Sequence, residues 1–400
     1  MSLNETPSSL RTRISFFGKR NAGKSSLVNA ITGQELSVVS DVAGTTTDPV
    51  NKSMELLPLG PVIITDTAGF DDQGVLGEKR IKKTEEMLIR TDIAILVTDA
   101  NANGLDSSEL DIIEQFKKRS IPYVIVFNKC DLMPVIPEST EDNFFVSAKK
   151  GINIDALKEK IAKLKPSENN KRMVADFIQK GDVVIFVTPI DEAAPKGRLI
   201  LPQQQAIRDT LDCGGISVVV QHGELSQAIN KLSEKPRLVV TDSQVFGEVS
   251  KLIPNEIPLT SFSILVARIK GLLDDAVTGA SKLSNLCDGD TVLISEGCTH
   301  HRQCNDIGTV KLPNLIKKYT EKDIKFEFTS GGTYPNDLSK YALIVHCGGC
   351  MLNEKEMSYR VNEAKLQGVP ITNYGTAIAH MNGRLKRSLE ILPKLQKIVE

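Results

Sequence analysis

Arg13-Ile14-Ser15-Phe16-Phe17-Gly18-Lys19-Arg20-Asn21-Ala22-Gly23-Lys24-Ser25-Ser26 decides the fold of the first third of this 400-residue chain. A short apolar run ends in Gly-x-x-x-x-Gly-Lys-Ser and opens into a helical pattern, the strand–loop–helix context that a P-loop requires. The backbone N–H groups of such a loop, at the positive end of a helix, suit a polyphosphate. Lys24 then belongs on the β and γ phosphates and the Ser25 hydroxyl on magnesium. Working outward, VIITDTAG, IAILVTDA, YVIVFNK and FFVSAK repeat the same continuous Val/Ile/Phe runs bounded by turns. Buried parallel strands joined by crossover helices are the reading, with ligands at the carboxyl ends of the strands.

Three further boxes define the base. Asp66-Thr67-Ala68-Gly69 closes a strand, bringing a carboxylate to the magnesium shell and the Gly69 amide to the γ-phosphate. Asn128-Lys129-Cys130-Asp131 closes another, and Asp131 can accept from the N1 and N2 donors of guanine, which adenine lacks. Ser147-Ala148-Lys149 completes the pocket, so GTP is expected rather than ATP. Gly44-Thr45-Thr46-Thr47-Asp48 lies in a polar loop where a magnesium-sensing switch belongs. Thr46 is its expected metal ligand and, with Lys24, the expected catalytic pair. Phe70 stands where a water-orienting Gln would serve, so slow intrinsic turnover is expected. Glu78 reads either as a substitute for that Gln or as a solvated helix residue.

Four hundred residues exceed one usual core. The polar stretch KPSENNKR at 165–172 breaks the first alternation, and the expected domains are 1–168, 169–272 and 273–400. The second and third read as smaller α/β units, with strands in VVIFVTPI, ISVVVQ, RLVVTD, DTVLISEG, KFEFTSG and ALIVHCGG. SFSILVARIKGLL reads as an apolar helix that either packs internally or joins two copies of the chain. RLKRSLEILPKLQKIVE reads as one basic amphipathic helix. A formal charge of −1, aromatics at 5% and the lack of Trp give no whole-chain case for nucleic acid. No apolar run reaches the roughly 18 residues that span a bilayer. The first residues lack a signal-peptide apolar region, so a cytoplasmic location without a membrane partner is expected.

Seven cysteines in such a chain are not a disulfide framework. Cys130, Cys213 and Cys287 are scattered and read as small buried thiols. By contrast, Cys298-Thr299-His300 is followed, forty-five residues on, by His346-Cys347-Gly348-Gly349-Cys350. Both groups follow apolar strands, and neighbouring parallel strands would bring them to one sheet edge. Three thiolates, with His300 or His346 as a further ligand, suit zinc or an iron–sulfur cluster equally by spacing. His301 is also available nearby, and Cys304 belongs to the same cluster.

The first domain resembles the potassium-activated tRNA-modification and ribosome-assembly GTPases of TrmE-Era-EngA type, on Asn21 and the switch DVAGTTTD. That resemblance implies K⁺ held by Asn21 against the phosphates. Such a domain followed by C-x-H and then H-C-x-x-C resembles the FeFe-hydrogenase maturation GTPases (HydF family) over the whole chain. It implies a central dimerisation domain and a C-terminal cluster-binding domain. Cys298, Cys347 and Cys350 would hold a 4Fe-4S cluster, and a di-iron precursor would be carried transiently. The implied partners are a second copy of the chain, apo FeFe-hydrogenase and radical-SAM maturases. The alternatives are a tRNA-modification or ribosome-assembly GTPase, or a GTPase with a structural zinc site.

Overall fold

The computed structural model describes residues 11–33, 50–67, 69, 75–102, 104–140, 143–164, 171–190, 199–297 and 306–399, with backbone alone over 75–82. Thr46, Phe70, Cys298, His300, His301, Cys304 and the Glu78 side chain lie outside what it describes. The chain divides into two compact units, residues 1–168 and 169–400.

The first unit is a six-stranded sheet in the order β2-β3-β1-β4-β5-β6. Its strands are β1 (Thr12–Phe17), β2 (Val50–Leu56), β3 (Gly60–Asp66), β4 (Ile93–Asp99), β5 (Tyr123–Asn128) and β6 (Asn143–Phe145). Only β2 runs antiparallel, on β3. Successive strand residues point to opposite faces, so both faces must be apolar where helices cover both. Phe16 and Ile95 therefore join Leu27, Ile31 and Leu157 on one side. Phe17 and Leu96 join Ile112 and Phe116 on the other. Each fully buried side chain of this kind stabilises by about 1.5–3 kcal/mol. The sequence reading missed β2, whose VNKSMEL alternates exposed and buried positions and so lacks the continuous apolar run of its neighbours.

The second unit holds two four-stranded parallel sheets. One has β7 (Val183–Val187), β8 (Ile216–Val220), β9 (Leu238–Thr241) and β10 (Leu259–Ser261) in the order β10-β9-β7-β8. The other has β11 (Thr291–Ser295), β12 (Lys325–Thr329), β13 (Leu343–His346) and β14 (Ile371–Asn373) in the order β12-β11-β13-β14. Both follow one plan: the second strand lies outside the first, and the third and fourth continue on its other side.

Three local expectations change. SFSILVARIKGLL is a helix, Phe262–Ile269, then a turn at Gly271 before the helix Leu273–Ser281. Its Phe262, Ile264, Leu265, Val266 and Ala267 are buried within the chain, so the run gives no argument for a dimer. The last segment is two short helices, Leu385–Ser388 and Pro393–Gln396. Pro393 brings no N–H to continue the first and starts the second. Cys130 is buried as expected, but Cys213 is half-buried and Cys287 exposed.

The end of the chain also crosses back. Leu385, Leu389 and Leu395 pack with Ile264, Ala267, Leu273 and Val277. The Thr260 hydroxyl donates to the Ser388 carbonyl at 2.9 Å, and Arg387 Nη2 to the Ile257 carbonyl at 3.2 Å. No helix among the described residues is long and apolar enough to cross a membrane.

Candidate functional site

The P-loop turns out of β1 into the helix Lys24–Thr32. Gly23 precedes that helix at φ +86°, and a Cβ there would lie 2.2 Å from Asn128 Nδ2, so only glycine fits. That proximity is used. Asn128 Nδ2 donates to the Ala22 carbonyl at 3.1 Å, and its Oδ1 accepts from Ala148 N at 3.1 Å. One amide thereby ties the phosphate loop to the base loop.

Lys24 is buried, its ammonium turned onto the Gly18 and Lys19 carbonyls at 2.8 and 2.7 Å. The Ser25 hydroxyl donates to Asp66 Oδ2 at 2.5 Å, and Asp66 is fully buried at the end of β3. A hydroxyl and a carboxylate converging beside the phosphate loop are the donor set of a magnesium site. Thr67 Oγ1 donates to the Phe16 carbonyl at 2.6 Å, fixing the start of the loop that carries Gly69. Ser26 is half-buried on the same helix, and Asn21 is exposed at φ +59°.

At the base loops, a hydrogen bond from buried Ser147 holds the Asp131 carboxyl below the usual carboxylate range. Lys150 adds to this at 3.7 Å, and Lys149 is exposed beside it. Asp131 is therefore held in its ionised form, which can only accept hydrogen bonds. Lys129, itself at φ +65°, is held by Asp99 at 2.7 Å. A cleft of about 370 Å³ runs along Lys19, Asn21 and Ala22, bounded by Asp99, Asp106 and Lys129. The nucleotide residues named from sequence that the structure describes lie on these loops, at the strand ends that lead into them, and on the first turn of the helix Lys24–Thr32. The lysine partner Asp99 was not named. It sits at the end of a strand as an acidic residue with no motif to mark it.

The second constellation lies at the carboxyl ends of β11 and β13, which pair in parallel with Ser295 opposite His346. Gly297 N donates to Cys347 Sγ at 3.1 Å, and Gly349 N to the same sulfur at 3.4 Å. The Cys347 turn is thus tied to the end of β11 at Gly297, while Cys298 lies outside the described residues. Gly349 needs its freedom, at φ +64° and with Met357 Sδ 2.7 Å from where a Cβ would be, whereas Gly348 has open space. The turn is clasped by Lys270, whose ammonium donates to the Leu352 carbonyl at 2.7 Å.

Burial pushes the Cys347 thiol up, and the Gly297 and Gly349 amides pull it partly back. Such a thiol loses its proton to a bound metal rather than to water. N–H donors on a sulfur flanked by further cysteines fit an iron–sulfur cluster or zinc. Among the described residues no group of three His, Cys, Asp or Glu could hold a metal ion, the third cysteine lying outside them.

His346 does not stand free as a ligand. It is fully buried, with Nδ1 2.8 Å from the Cys347 carbonyl and Nε2 3.0 Å from Arg360 Nη1. Burial first, and then the Arg360 charge, push its pKa down to about 3. Arg360, Glu356 and Lys270 were invisible from sequence, because EKEMSYRVNEAKL reads as a solvated helix with an ordinary i,i+4 ion pair. Glu296 is buried beside Gly297 and accepts from the Tyr374 hydroxyl at 3.2 Å.

Each part of the chain matches known proteins. Residues 13–129 match the family described as 50S ribosome-binding GTPase. GTPase Der of Wolinella succinogenes is 39% identical over 194 residues, 44% of this chain and 40% of its own. The tRNA modification GTPase MnmE of Endomicrobium trichonymphae is 37% identical over 177 residues, 40% and 38% of the two chains. The chain thus spans about two fifths of the length of these curated relatives. The structure of Aquifex aeolicus Era bound to GDP and AlF4⁻ is similar at 22% identity and a TM-score of 0.35, over 52% of this chain and 93% of that one. Residues 173–271 match the hydrogen maturase F dimerization domain and 274–391 its tetramerization domain. With both of these domains behind a G domain of TrmE-Era-EngA type, the chain belongs to the hydrogen maturase F family.

Proposed function

We propose that the chain is a GTP-hydrolysing scaffold and carrier that holds a 4Fe-4S cluster and a di-iron precursor, and delivers the precursor to apo FeFe-hydrogenase. One contact supports the reading: the Gly297 amide on the Cys347 sulfur at 3.1 Å, which ties the Cys347–Cys350 turn to the end of β11, one residue before Cys298 in the sequence. Cys298, Cys347 and Cys350 would hold three irons, and His300 is the candidate fourth ligand, since both His346 nitrogens are engaged. When bound, the cluster supplies an iron with an exchangeable position to which a precursor can attach.

The chain's own residues account for the nucleotide chemistry. Lys24 and the loop amides neutralise phosphate charge, Ser25 and Asp66 hold magnesium, and Thr46 adds a ligand when the γ-phosphate is present. Asn21 would hold K⁺, and GTP turnover in potassium salts should exceed that in sodium salts. Equal rates would remove that role from Asn21. Turnover would gate transfer or release of partners, among them radical-SAM maturases, rather than drive cluster chemistry. Self-association is supported by the matched segment and by the edge strand β8, whose Ile216 and Val219 are 50% and 43% exposed.

Anaerobic reconstitution tests the cofactor. Wild type should take up iron and acid-labile sulfide and give an EPR signal on reduction. Cys298→Ser, Cys347→Ser and Cys350→Ser should each lose most of both. Zinc without sulfide in the wild type would replace this reading with a structural metal site.

A further inference from the structure

Arg360 is the largest fully buried side chain among the described residues, and it lies beneath the cysteine turn. It projects from the helix Glu354–Leu366, which follows that turn, and is 1% exposed. Its guanidinium reaches the carboxyl ends of three adjoining strands. Nη1 donates to His346 Nε2 at 3.0 Å at the end of β13 and to Ser295 Oγ at 3.4 Å at the end of β11. Nη2 donates to the Gly331 carbonyl at 2.7 Å, just beyond β12, and to Glu356 Oε1 at 2.9 Å. The Tyr334 ring closes over it with its centroid 5.2 Å away.

A guanidinium has no acceptor, so the lone pair in its bond to His346 must belong to Nε2. The ring proton therefore sits on Nδ1 and is donated to the Cys347 carbonyl at 2.8 Å. Both nitrogens are spent, and the tautomer is fixed from below. We propose that Arg360 and His346 form a positioning relay for the cysteine site. Arg360 fixes the ring, and the ring fixes the Cys347 carbonyl. The Cys347 sulfur is thereby aimed at the Gly297 amide, next to Cys298. Glu356 is as close to the guanidinium as His346 is, so the buried pair is nearly neutral and its effect is placement rather than charge. The relay rests on the cluster reading above and adds residues that do not touch the metal.

Removing Arg360 would take away half of a buried ion pair and endanger folding, so His346 carries the test. Gln can donate to the carbonyl with its amide and accept from Arg360 with its oxygen; Ala can do neither. After anaerobic reconstitution, His346→Ala should surrender iron to a chelator about 10- to 100-fold faster than wild type, the range for lost outer-shell partners. His346→Gln should stay near wild type with unchanged EPR g-values, and unchanged thermal midpoints should show that both variants fold. An Ala variant as retentive as wild type overturns the relay. A Gln variant as leaky as Ala, with altered g-values, overturns it too by making His346 a ligand. Should wild type itself take up no iron, the cofactor reading fails. The relay is then judged by iodoacetamide alkylation of Cys347 in metal-free protein, which His346→Ala should accelerate and His346→Gln should not; equal rates in all three would overturn it.

Discussion

The nucleotide loops and the cysteine turn occupy the same place in two different sheets, yet they are built in opposite ways. Each lies beyond the carboxyl ends of parallel strands where the strand order reverses, between β3 and β4 at the end of β1, and between β11 and β13. Around the P-loop the outer ion pairs stay near water, although Lys24 and Asp66 are buried. Lys129 pairs with Asp99 and Lys19 with Asp106, and all four side chains are about a third exposed or more. Around the cysteines they are sunk, with Arg360 and Glu356 at 1% and 7% side-chain exposure. A nucleotide brings its own charge and leaves after each turnover, so its loops keep solvated, exchangeable partners. A resident cofactor must be held in one geometry, and that geometry is set from underneath.

If the two sites are separate devices, substitutions should divide cleanly. Cys347→Ser should lose most of the iron and sulfide while GTP turnover, followed by phosphate release, stays within about twofold, since it removes a proposed metal ligand that belongs to the other compact unit. A large fall in turnover would break the comparison. Lys24→Ala should cut GTP turnover about 10²–10³-fold, the usual loss for a donor aimed at transition-state charge. Its iron content should equal wild type. Asp131→Asn replaces an ionised double acceptor, so GTP should bind about ten- to a hundredfold more weakly, and xanthosine triphosphate should gain affinity in the same titration.

Smaller still is an effect on the part of the chain built around the sheet β10-β9-β7-β8. Burial raises the Asp209 carboxyl, but the amides of Ala175 and Val174 and then Arg172 outweigh it and hold its pKa low. A depressed folded-state pKa stabilises above the unfolded value near 3.9 and ceases to as pH falls through the folded one. Asp209→Asn should therefore cost about 1–2 kcal/mol at pH 7, toward the lower end because Arg172 is half exposed. The gap from wild type in chemical unfolding should close below about pH 4. A gap unchanged from pH 7 to pH 3 would show the loss to be one of packing.

The sequence was most readable where continuous apolar runs met loop motifs, as in β1 with Gly18–Ser25 and β5 with Asn128–Asp131. It was mute where one residue type serves two ends. Lys52, Met54 and Leu56 face inward from β2 while the positions between them face water, so the strand resembled a polar connection. Phe262–Ala267 read equally as an interface or an internal helix because nothing local says that residues 385–399 return to cover it. Arg360 looked like a surface residue because a helix spacing of four is shared by solvated and buried ion pairs. Only the placement of that helix over β11 and β13 tells them apart.

The returning C-terminal segment has a mechanical consequence. Because it is anchored to β10 while its neighbours cover β14, the sheet carrying the edge strand β8 and the sheet carrying the cysteines cannot swing independently. Two copies zipped along β8 would hold their sulfur turns like paired berths at a quay, spaced by masonry rather than rope. A visitor moored at one would find the other always at the same offset.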